Sequence, residues 1–354
     1  MAMTSRERVE CALRHKEPDR TPIFEYVLQS PVADAILGRP LTEGDNFHAL
    51  CKRRGCQETV RQLAIDRLDL AQALGHDMLY VTPVWAPAEN TSQPPKPRPT
   101  DDPAANTRAM NDWSEREPTT HDDHFLIYMC LKEEMKARGM DLPIIAPAYG
   151  HGVWNDVDLM QTMILDPDEA HRYFALATAR TLSHIEKFLS LGIDQIGVGG
   201  DFAGNRPMIS PQAYREFIMP EVRTLAQRIH AAGGWAANTS DGNLWSVIDD
   251  FLLGCEVDGY LEMDFHAGMD LRRLKEAYGD RITFYGNLDC GNVLSFGSTD
   301  DIRRHTRQCI EAGWGNGGHI LTTSNAITAS IPVENYLTVV ATYRDMFGLA
   351  KLDF

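Results

Sequence analysis

Acidic side chains follow several of the apolar segments of this sequence, at the point where each segment gives way to a turn. The five are Glu25, Asp201, Asp241, Glu262 and Asp289. Carboxylates gathered in one place can bind a cation, coordinate a metal ion, or supply a proton when burial raises the pKa of one of them. An isolated Asp before a turn more often makes a local hydrogen bond. The chemistry therefore depends on whether the fold brings these five together.

The stretch from Trp235 to Trp245 is the strongest candidate for such a place. An apolar run from Ile229 leads into it, and an amphipathic run leaves it at Leu244. A strand, a polar turn with Gly and a helix N-terminus, in that order, are typical of the ligand-binding edge of an α/β fold. Short polar residues fill the turn: Asn238, Thr239, Ser240, Asp241 and Asn243.

The elements that must position these residues form a regular rhythm of strands and helices. Eight short strands, each followed by at least one helix, are predicted near residues 21, 78, 143, 195, 235, 259, 282 and 319. This pattern predicts an α/β protein, a single (β/α)8 TIM barrel spanning residues 1–354 with an N-terminal helical extension. Its strand ends meet on one face. Besides the carboxylates, that face would carry Tyr26, Tyr149, His151 and Phe202.

Residues 82–122 differ in composition, since they are rich in Pro, Asn, Thr and Asp and lack a clear hydrophobic period. A segment of this length is either a disordered linker or an excursion that folds over a site. Trp85, Met110 and Trp113 provide apolar surface to bury, which favours an ordered, lid-like insertion.

Composition limits the partners. The net charge of −16, from 34 basic and 50 acidic residues, argues against nucleic acid or an anionic membrane as a partner. The charged start and the lack of a long apolar segment predict a cytoplasmic protein without a signal peptide or membrane span. The seven cysteines lack a CxxC pair, which is typical of free thiols in a reducing compartment.

Five stretches spread along nearly the whole chain match a known family in order. They are residues 4–22, Pro207-Met-Ile-Ser-Pro-Gln-Ala-Tyr-Arg-Glu-Phe217, Ser240-Asp-Gly-Asn-Leu-Trp245, Gly286-Asn-Leu-Asp289 and Pro332-Val-Glu-Asn-Tyr336. Together they resemble the uroporphyrinogen decarboxylase superfamily, which includes corrinoid-dependent methyltransferases. The resemblance implies the same (β/α)8 barrel.

Two departures from this family bear on activity. The decarboxylases carry an Arg-rich loop after the first strand, where this chain reads Phe24-Glu-Tyr-Val-Leu-Gln-Ser30 without an Arg. An acidic site without Arg would repel a polyanionic porphyrinogen. The zinc methyltransferases use a His-x-Cys pair and a later Cys, where this chain has Thr239, Asp241 and Asn325. This set is a poor zinc site, since zinc favours His and Cys, so we expect no metal there.

The resemblance therefore implies a methyltransferase that moves a methyl group between a small methylated substrate and the corrinoid (cobalamin) of a partner protein. Asp241, Glu262 and Asp201 are the predicted catalytic residues. Asp241 or Glu262 would protonate a departing aryl-ether oxygen, or the carboxylates and aromatics would bind a quaternary ammonium. Predicted substrate-binding residues are Glu25, Tyr26, Tyr149, His151, Phe202, Thr239, Asn243, Asp289 and Asn325.

Two alternatives stay open: a decarboxylase or lyase acting on a small organic acid, and a non-catalytic barrel that binds a small molecule. The lost His-Cys-Cys pattern suggests the second of these. The sequence also leaves the oligomeric state open, with a homodimer as one expectation.

Overall fold

The computed structural model describes residues 2–84, 94–116 and 122–352. Its centre is a curved sheet in which each strand pairs in parallel with the next along the chain, in the order β1 to β7. Side chains on both faces of the strands are buried, as expected for a parallel sheet with helices outside it. The strands are β1 Leu79–Tyr80, β2 Ile144–Pro147, β3 Gln195–Gly199, β4 Trp235–Thr239, β5 Gly259–Leu261, β6 Thr283–Tyr285 and β7 His319–Ile320.

The first of the eight predicted strands is reduced to a single bridge in the described part of the chain. Ile23 bridges to Leu321, just beyond β7, and the Ile23 carbonyl accepts a hydrogen bond from the Asp77 amide at 2.7 Å, just before β1. This segment thus lies between the two edges of the sheet. Pro22 has no N–H to donate to a ladder, which is one reason that pairing stops there. The structure is of the TIM-barrel kind, and its described residues form seven ladder strands where eight were predicted.

Helices surround this sheet. After Leu244, where the sequence predicts the start of a helix, the chain forms a turn followed by a π-helical segment, Asp250–Gly254. The helices are α1 Ser5–Leu13, α2 Val32–Leu37, α3 Gly44–Arg54, α4 Cys56–Leu74, α5 Ala104–Ser114, α6 Leu126–Arg138, α7 Val157–Leu165, α8 Pro167–Ser190, α9 Pro211–Ala213, α10 Met219–Ala231, α11 Leu271–Tyr278, α12 Val293–Phe296, α13 Thr299–Gly313 and α14 Val333–Met346. A π-helical segment, Tyr214–Ile218, joins α9 to α10. No helix in the described ranges is long and apolar enough to cross a membrane.

A buried ion cluster ties the start of the chain to the sheet. Asp77 is completely buried and accepts hydrogen bonds from Arg8 Nη1 at 2.7 Å and from Arg20 Nη1 at 2.6 Å. Because Arg8 lies on α1 and Arg20 precedes the bridged segment, the cluster fixes both beside β1. The Gly318 amide, just before β7, donates to the Ala12 carbonyl of α1 at 2.8 Å. Helix α1 thus covers the amino ends of the strands, and the opposite face is left for a site.

The described part of the predicted lid contains a helix. Helix α5 packs on α7 and α8. Asn106 Nδ2 donates to Asp158 Oδ2 at 2.8 Å, and the hydroxyls of Thr107 and Thr162 are 2.9 Å apart. Residues 85–93 and 117–121 of that prediction, with Trp85 among them, lie outside the described residues.

Candidate active site

A cavity of about 490 Å³ opens at the carboxyl ends of β2 to β5. This is the face of a barrel-type sheet on which enzymes of this architecture carry their active sites, and the volume suits a small ligand. Four aromatic rings, two carboxyl groups, one hydroxyl and three glycines line it. These residues are Tyr26, Tyr149, Gly150, Gly152, Trp154, Tyr173, Gly200, Asp201, Thr239 and Glu262.

Asp241 stands beside this cavity with three carboxylates around it. Its backbone amide donates to Asp201 Oδ1 at 3.0 Å, and Asn325 Nδ2 donates to its Oδ2 at 2.7 Å. Burial, followed by the charges of Glu262 and Asp201, raises the pKa of Asp241 to about 8, against the hydrogen bond from Asn325. Asp241 is therefore mostly protonated at neutral pH and can donate a proton.

Glu262 follows β5 and is buried. Thr239 Oγ1, at the end of β4, donates to Glu262 Oε2 at 2.6 Å. Burial raises the pKa of Glu262, while hydrogen bonds from Thr239 and Tyr26 lower it and the charge of Asp201 raises it. The backbone of Glu262 has φ +68°, a left-handed conformation that a Glu rarely adopts. Such strain often accompanies functional sites, where the surrounding fold holds a side chain in one direction.

Three tyrosines meet next to this carboxyl. The hydroxyl of Tyr80 lies 3.2 Å from that of Tyr26, and their ring centroids are 4.2 Å apart. The hydroxyl of Tyr149 is buried and finds no partner in hydrogen-bond geometry among the described residues. The group joins a polar rim to the apolar interior of the sheet, where Tyr26 and Tyr80 belong to one buried cluster.

Glu25 is buried on the other side of the strand ends, beside the segment that follows β7. It accepts hydrogen bonds from the Thr323 hydroxyl, from the Thr322 hydroxyl at 3.1 Å and from the Tyr26 amide at 3.0 Å. Burial raises the pKa of Glu25 to about 7. Its oxygens therefore serve this junction, and Glu25 reaches the cavity only through its neighbour Tyr26.

Two of the predicted substrate-binding residues point away from the cavity. His151 is completely buried, with Nε2 2.8 Å from the Thr178 hydroxyl on α8 and its ring stacked on Phe174. Burial lowers the pKa of His151 to about 4, so it is neutral. Phe202 packs in the core against Tyr214, with ring centroids 4.7 Å apart.

Two more of the predicted substrate-binding residues make hydrogen bonds to nearby loop residues. Asn243 Nδ2 donates to the Ala267 carbonyl at 2.8 Å. Asp289 Oδ1 accepts from the Asn292 amide at 3.0 Å, before α12. The structure therefore brings together Tyr26, Tyr149, Asp201, Thr239, Asp241, Glu262 and Asn325, and leaves Glu25, His151, Phe202, Asn243 and Asp289 in supporting positions.

Sequence reasoning missed Tyr80 and Tyr173. Tyr80 lies on a strand predicted over residues 78–81, and its place one residue before the strand end could have marked it as inward-facing. Tyr173 lies on α8, the second helix after β2, and no strand-end pattern marks a residue on a helix.

The three positions that the family resemblance aligns with the His, Cys and Cys of the zinc methyltransferases are close in space. Asn325 contacts Asp241 directly, and Thr239 lies two residues before it. Here the Thr239 hydroxyl and the Asn325 amide nitrogen both donate hydrogen bonds to carboxyl groups, so neither presents the soft, electron-rich ligand that zinc prefers. Among the described residues, no group of three or more His, Cys, Asp and Glu side chains is arranged to hold a metal ion.

A parallel α/β sheet of the TIM-barrel kind with a carboxyl-lined cavity at its strand ends defines a class of protein in which many enzymes are known. Residues 148–346 match the family model of uroporphyrinogen decarboxylase (URO-D), and the chain belongs to this family.

Known proteins of two kinds resemble the chain. A uroporphyrinogen decarboxylase of Aromatoleum aromaticum is 23% identical over 320 residues, covering 84% of each chain. A methylated-thiol–coenzyme M methyltransferase of Methanosarcina mazei is 24% identical over 170 residues, covering 48% of this chain and 43% of that protein. The solved structure of a methyltransferase from Methanosarcina mazei superimposes with a TM-score of 0.70 at 18% identity, over 98% of this chain and 99% of that one. The last comparison shows a shared fold, and the relatives named are all enzymes.

Proposed function

We propose that the chain is a methyltransferase that moves a methyl group from a small methylated substrate to the corrinoid of a partner protein. The observation that carries this proposal is the charge of the cavity. None of its described lining residues is Arg, Lys or His, while Asp201 and Glu262 line it. Such a cavity disfavours a porphyrinogen with many carboxylates, because each would be buried without a cationic partner. The partial similarity to a methyltransferase agrees with this.

The transfer proposed here breaks the bond between the methyl carbon and its heteroatom, which keeps the electron pair. The reduced corrinoid of the partner would accept the methyl carbon and would supply both electrons of the new bond. If the heteroatom is an ether oxygen, it needs a proton as it leaves, and Asp241 is protonated near neutral pH and could provide one. Glu262, held by Thr239, and Asp201 would orient the substrate.

We propose that this reaction does not use the zinc of the family's methyltransferases, on the ground that Thr239 and Asn325 donate hydrogen bonds where a zinc site needs ligands. Metal analysis of the purified protein tests this point, and one tightly held zinc per chain would overturn it. The lid role of residues 82–122, the cytoplasmic location and a homodimer remain predictions.

The function is tested under anaerobic conditions with purified protein, chemically reduced cobalamin as the acceptor, and a panel of methoxyarenes and methylated amines. We expect methylcobalamin, identified by its spectrum and mass, from at least one donor. The double variant Asp241→Asn with Glu262→Gln should lose this activity. Glu311→Gln, an exposed position on α13, is the matched control and should keep it. Carbon dioxide release from uroporphyrinogen, without methylcobalamin from any donor, would contradict the proposal and the argument that a cavity without Arg disfavours a porphyrinogen.

A further inference from the structure

The aromatic side chains of the cavity come from three separate parts of the fold and share one space. Tyr149 and Trp154 follow β2, Tyr26 follows the bridged segment, and Tyr173 lies on α8. Trp154 is 48% exposed, and its ring edge stands over Gly204, where a Cβ would lie 3.4 Å away. An aromatic face attracts a cation through its quadrupole, most strongly when the cation is desolvated.

Among the described residues that line the same space, no cationic side chain balances the acidic ones. Asp201 and Glu262 line the cavity, and the Asp241 amide contacts Asp201. Arg67, which lies near Tyr80, forms an ion pair with Glu43 and does not line the cavity. A neutral ligand would leave the repulsion among these carboxyl groups as it is, whereas a cationic ligand would relieve it.

We infer that this cavity binds a small methylated onium cation, a quaternary ammonium or a sulfonium, between its aromatic rings and the carboxylates of Asp201 and Glu262. The inference rests on the proposed function only in treating the bound cation as the methyl donor. It selects one of the substrate classes that the proposed function leaves open.

An onium donor also fits the bond changes of the transfer. When the carbon–nitrogen or carbon–sulfur bond breaks, the heteroatom keeps the electron pair and leaves as a neutral amine or sulfide, so no proton is required. The methyl carbon bonds to the reduced cobalt of the partner's corrinoid, which supplies the electron pair. The carboxylates then act by holding the positive heteroatom before transfer.

The Tyr149 hydroxyl suggests a further feature of the ligand. It is buried beside the hydroxyls of Tyr80 and Tyr26, which interact with it without full hydrogen-bond geometry, so its hydrogen-bonding capacity is only partly used. A hydroxyl or carbonyl oxygen on the tail of the onium compound would complete it. Choline therefore combines the two features and serves as the first probe.

The test is calorimetric binding to the whole protein without cobalamin. Choline is compared with 3,3-dimethylbutan-1-ol, which has the same shape but a carbon in place of the charged nitrogen. We expect choline to bind at least about tenfold more tightly, the ratio that a desolvated cation–aromatic contact produces. Tetramethylammonium and trimethylsulfonium distinguish the two onium sources, and 2-methoxyphenol represents the neutral ethers.

Variants separate the site from general charge effects. Glu262→Gln should weaken choline binding by about tenfold or more, whereas Glu311→Gln makes the same change of charge on the surface and should leave it unaltered. Equal affinity for choline and its neutral isostere, binding of 2-methoxyphenol alone, or binding of none of these probes would overturn the inference.

The outcomes also separate this inference from the proposed function. Onium binding without methylcobalamin formation from any donor would refute the methyltransferase proposal and leave the ligand class standing. Methylcobalamin formation from a methoxyarene, with no onium binding, would do the reverse.

Discussion

Replacing Asp241 by Asn should stabilise the protein at alkaline pH and have little effect in acid. The pKa of Asp241 rises from its usual 3.8 to about 8 in the folded chain, because of burial and then the charges of Glu262, Asp201 and, more weakly, Asp264. Between about pH 4 and pH 8 the unfolded chain loses this proton while the folded chain keeps it. The free energy of unfolding of the native protein therefore falls as pH rises through this window, and levels off above it.

The size of the effect follows from the same values. The pKa difference between 3.8 and about 8, about 4.2, corresponds to about 5.7 kcal/mol at about 1.36 kcal/mol per pKa unit. Because Asp241 is partly exposed and its neighbours titrate with it, we expect about half of this, roughly 3 kcal/mol. The Asn side chain keeps the volume, and the backbone amide keeps its contact with Asp201, so the variant removes the charge alone.

The assay is thermal unfolding of both proteins at pH 5 and pH 9. At about 2.1 cal/mol/K per residue, 354 residues have an unfolding entropy of about 0.7 kcal/mol/K, so 3 kcal/mol raises Tm by about 4 °C. We expect this difference at pH 9 and a difference near zero at pH 5. Glu311→Gln should show no such dependence. An Asp241→Asn variant that differs from the native protein equally at both pH values would refute the reasoning.

Three further predictions concern the frame of the site. Gly242→Ala should lower the free energy of unfolding, measured by urea titration, by roughly 2–4 kcal/mol, because Gly242 has φ +88° and an added Cβ would lie 2.4 Å from the Gly204 carbonyl oxygen. The control Gly233→Ala has φ +80° but open space around the added Cβ, so it should lower the same free energy by only about 1–2 kcal/mol. Asp77→Asn should lower the free energy of unfolding by about 3 kcal/mol, because two arginines lose their buried counter-charge, and unchanged stability would show that the cluster matters little. Trp154→Ala should shift Tm by under about 2 °C because the side chain is half exposed, yet weaken choline binding by about tenfold; unchanged affinity would exclude it from the site.

The sequence predicted the strand ends better than the directions of side chains. Asp201, Asp241 and Glu262 were placed on one face because each follows an apolar run, and parallel strands end together. The predicted extent of the first strand was wrong, because a Pro within a short apolar run limits the pairing of that strand. Asn325 was predicted only through the family resemblance, and Tyr173 needed tertiary information because it lies on a helix.

The glycines around His151 illustrate the limit of local reasoning. Glycine lacks a side chain, so Gly150 and Gly152 let the backbone approach other groups closely, and the structure shows such approaches. A Cβ on Gly152 would lie 2.9 Å from the Asp201 amide nitrogen, and one on Gly150 would lie 2.5 Å from the Thr181 hydroxyl. The neighbours are other parts of the chain, and the histidine between them turns towards α8. A glycine pattern indicates close packing without saying what is packed.

The pairing of Asp241 with Asn325 bears on how the site differs from its zinc-using relatives. The two residues are 84 positions apart, yet their side chains meet at 2.7 Å, so the fold of the sheet brings these positions together. A thiolate at position 241 would carry a full negative charge to be neutralised by zinc. An Asp with a raised pKa needs no such ion, because it can hold a proton or be balanced by a cationic ligand. The same geometry would then serve a substrate that brings its own positive charge, instead of one that a metal must activate.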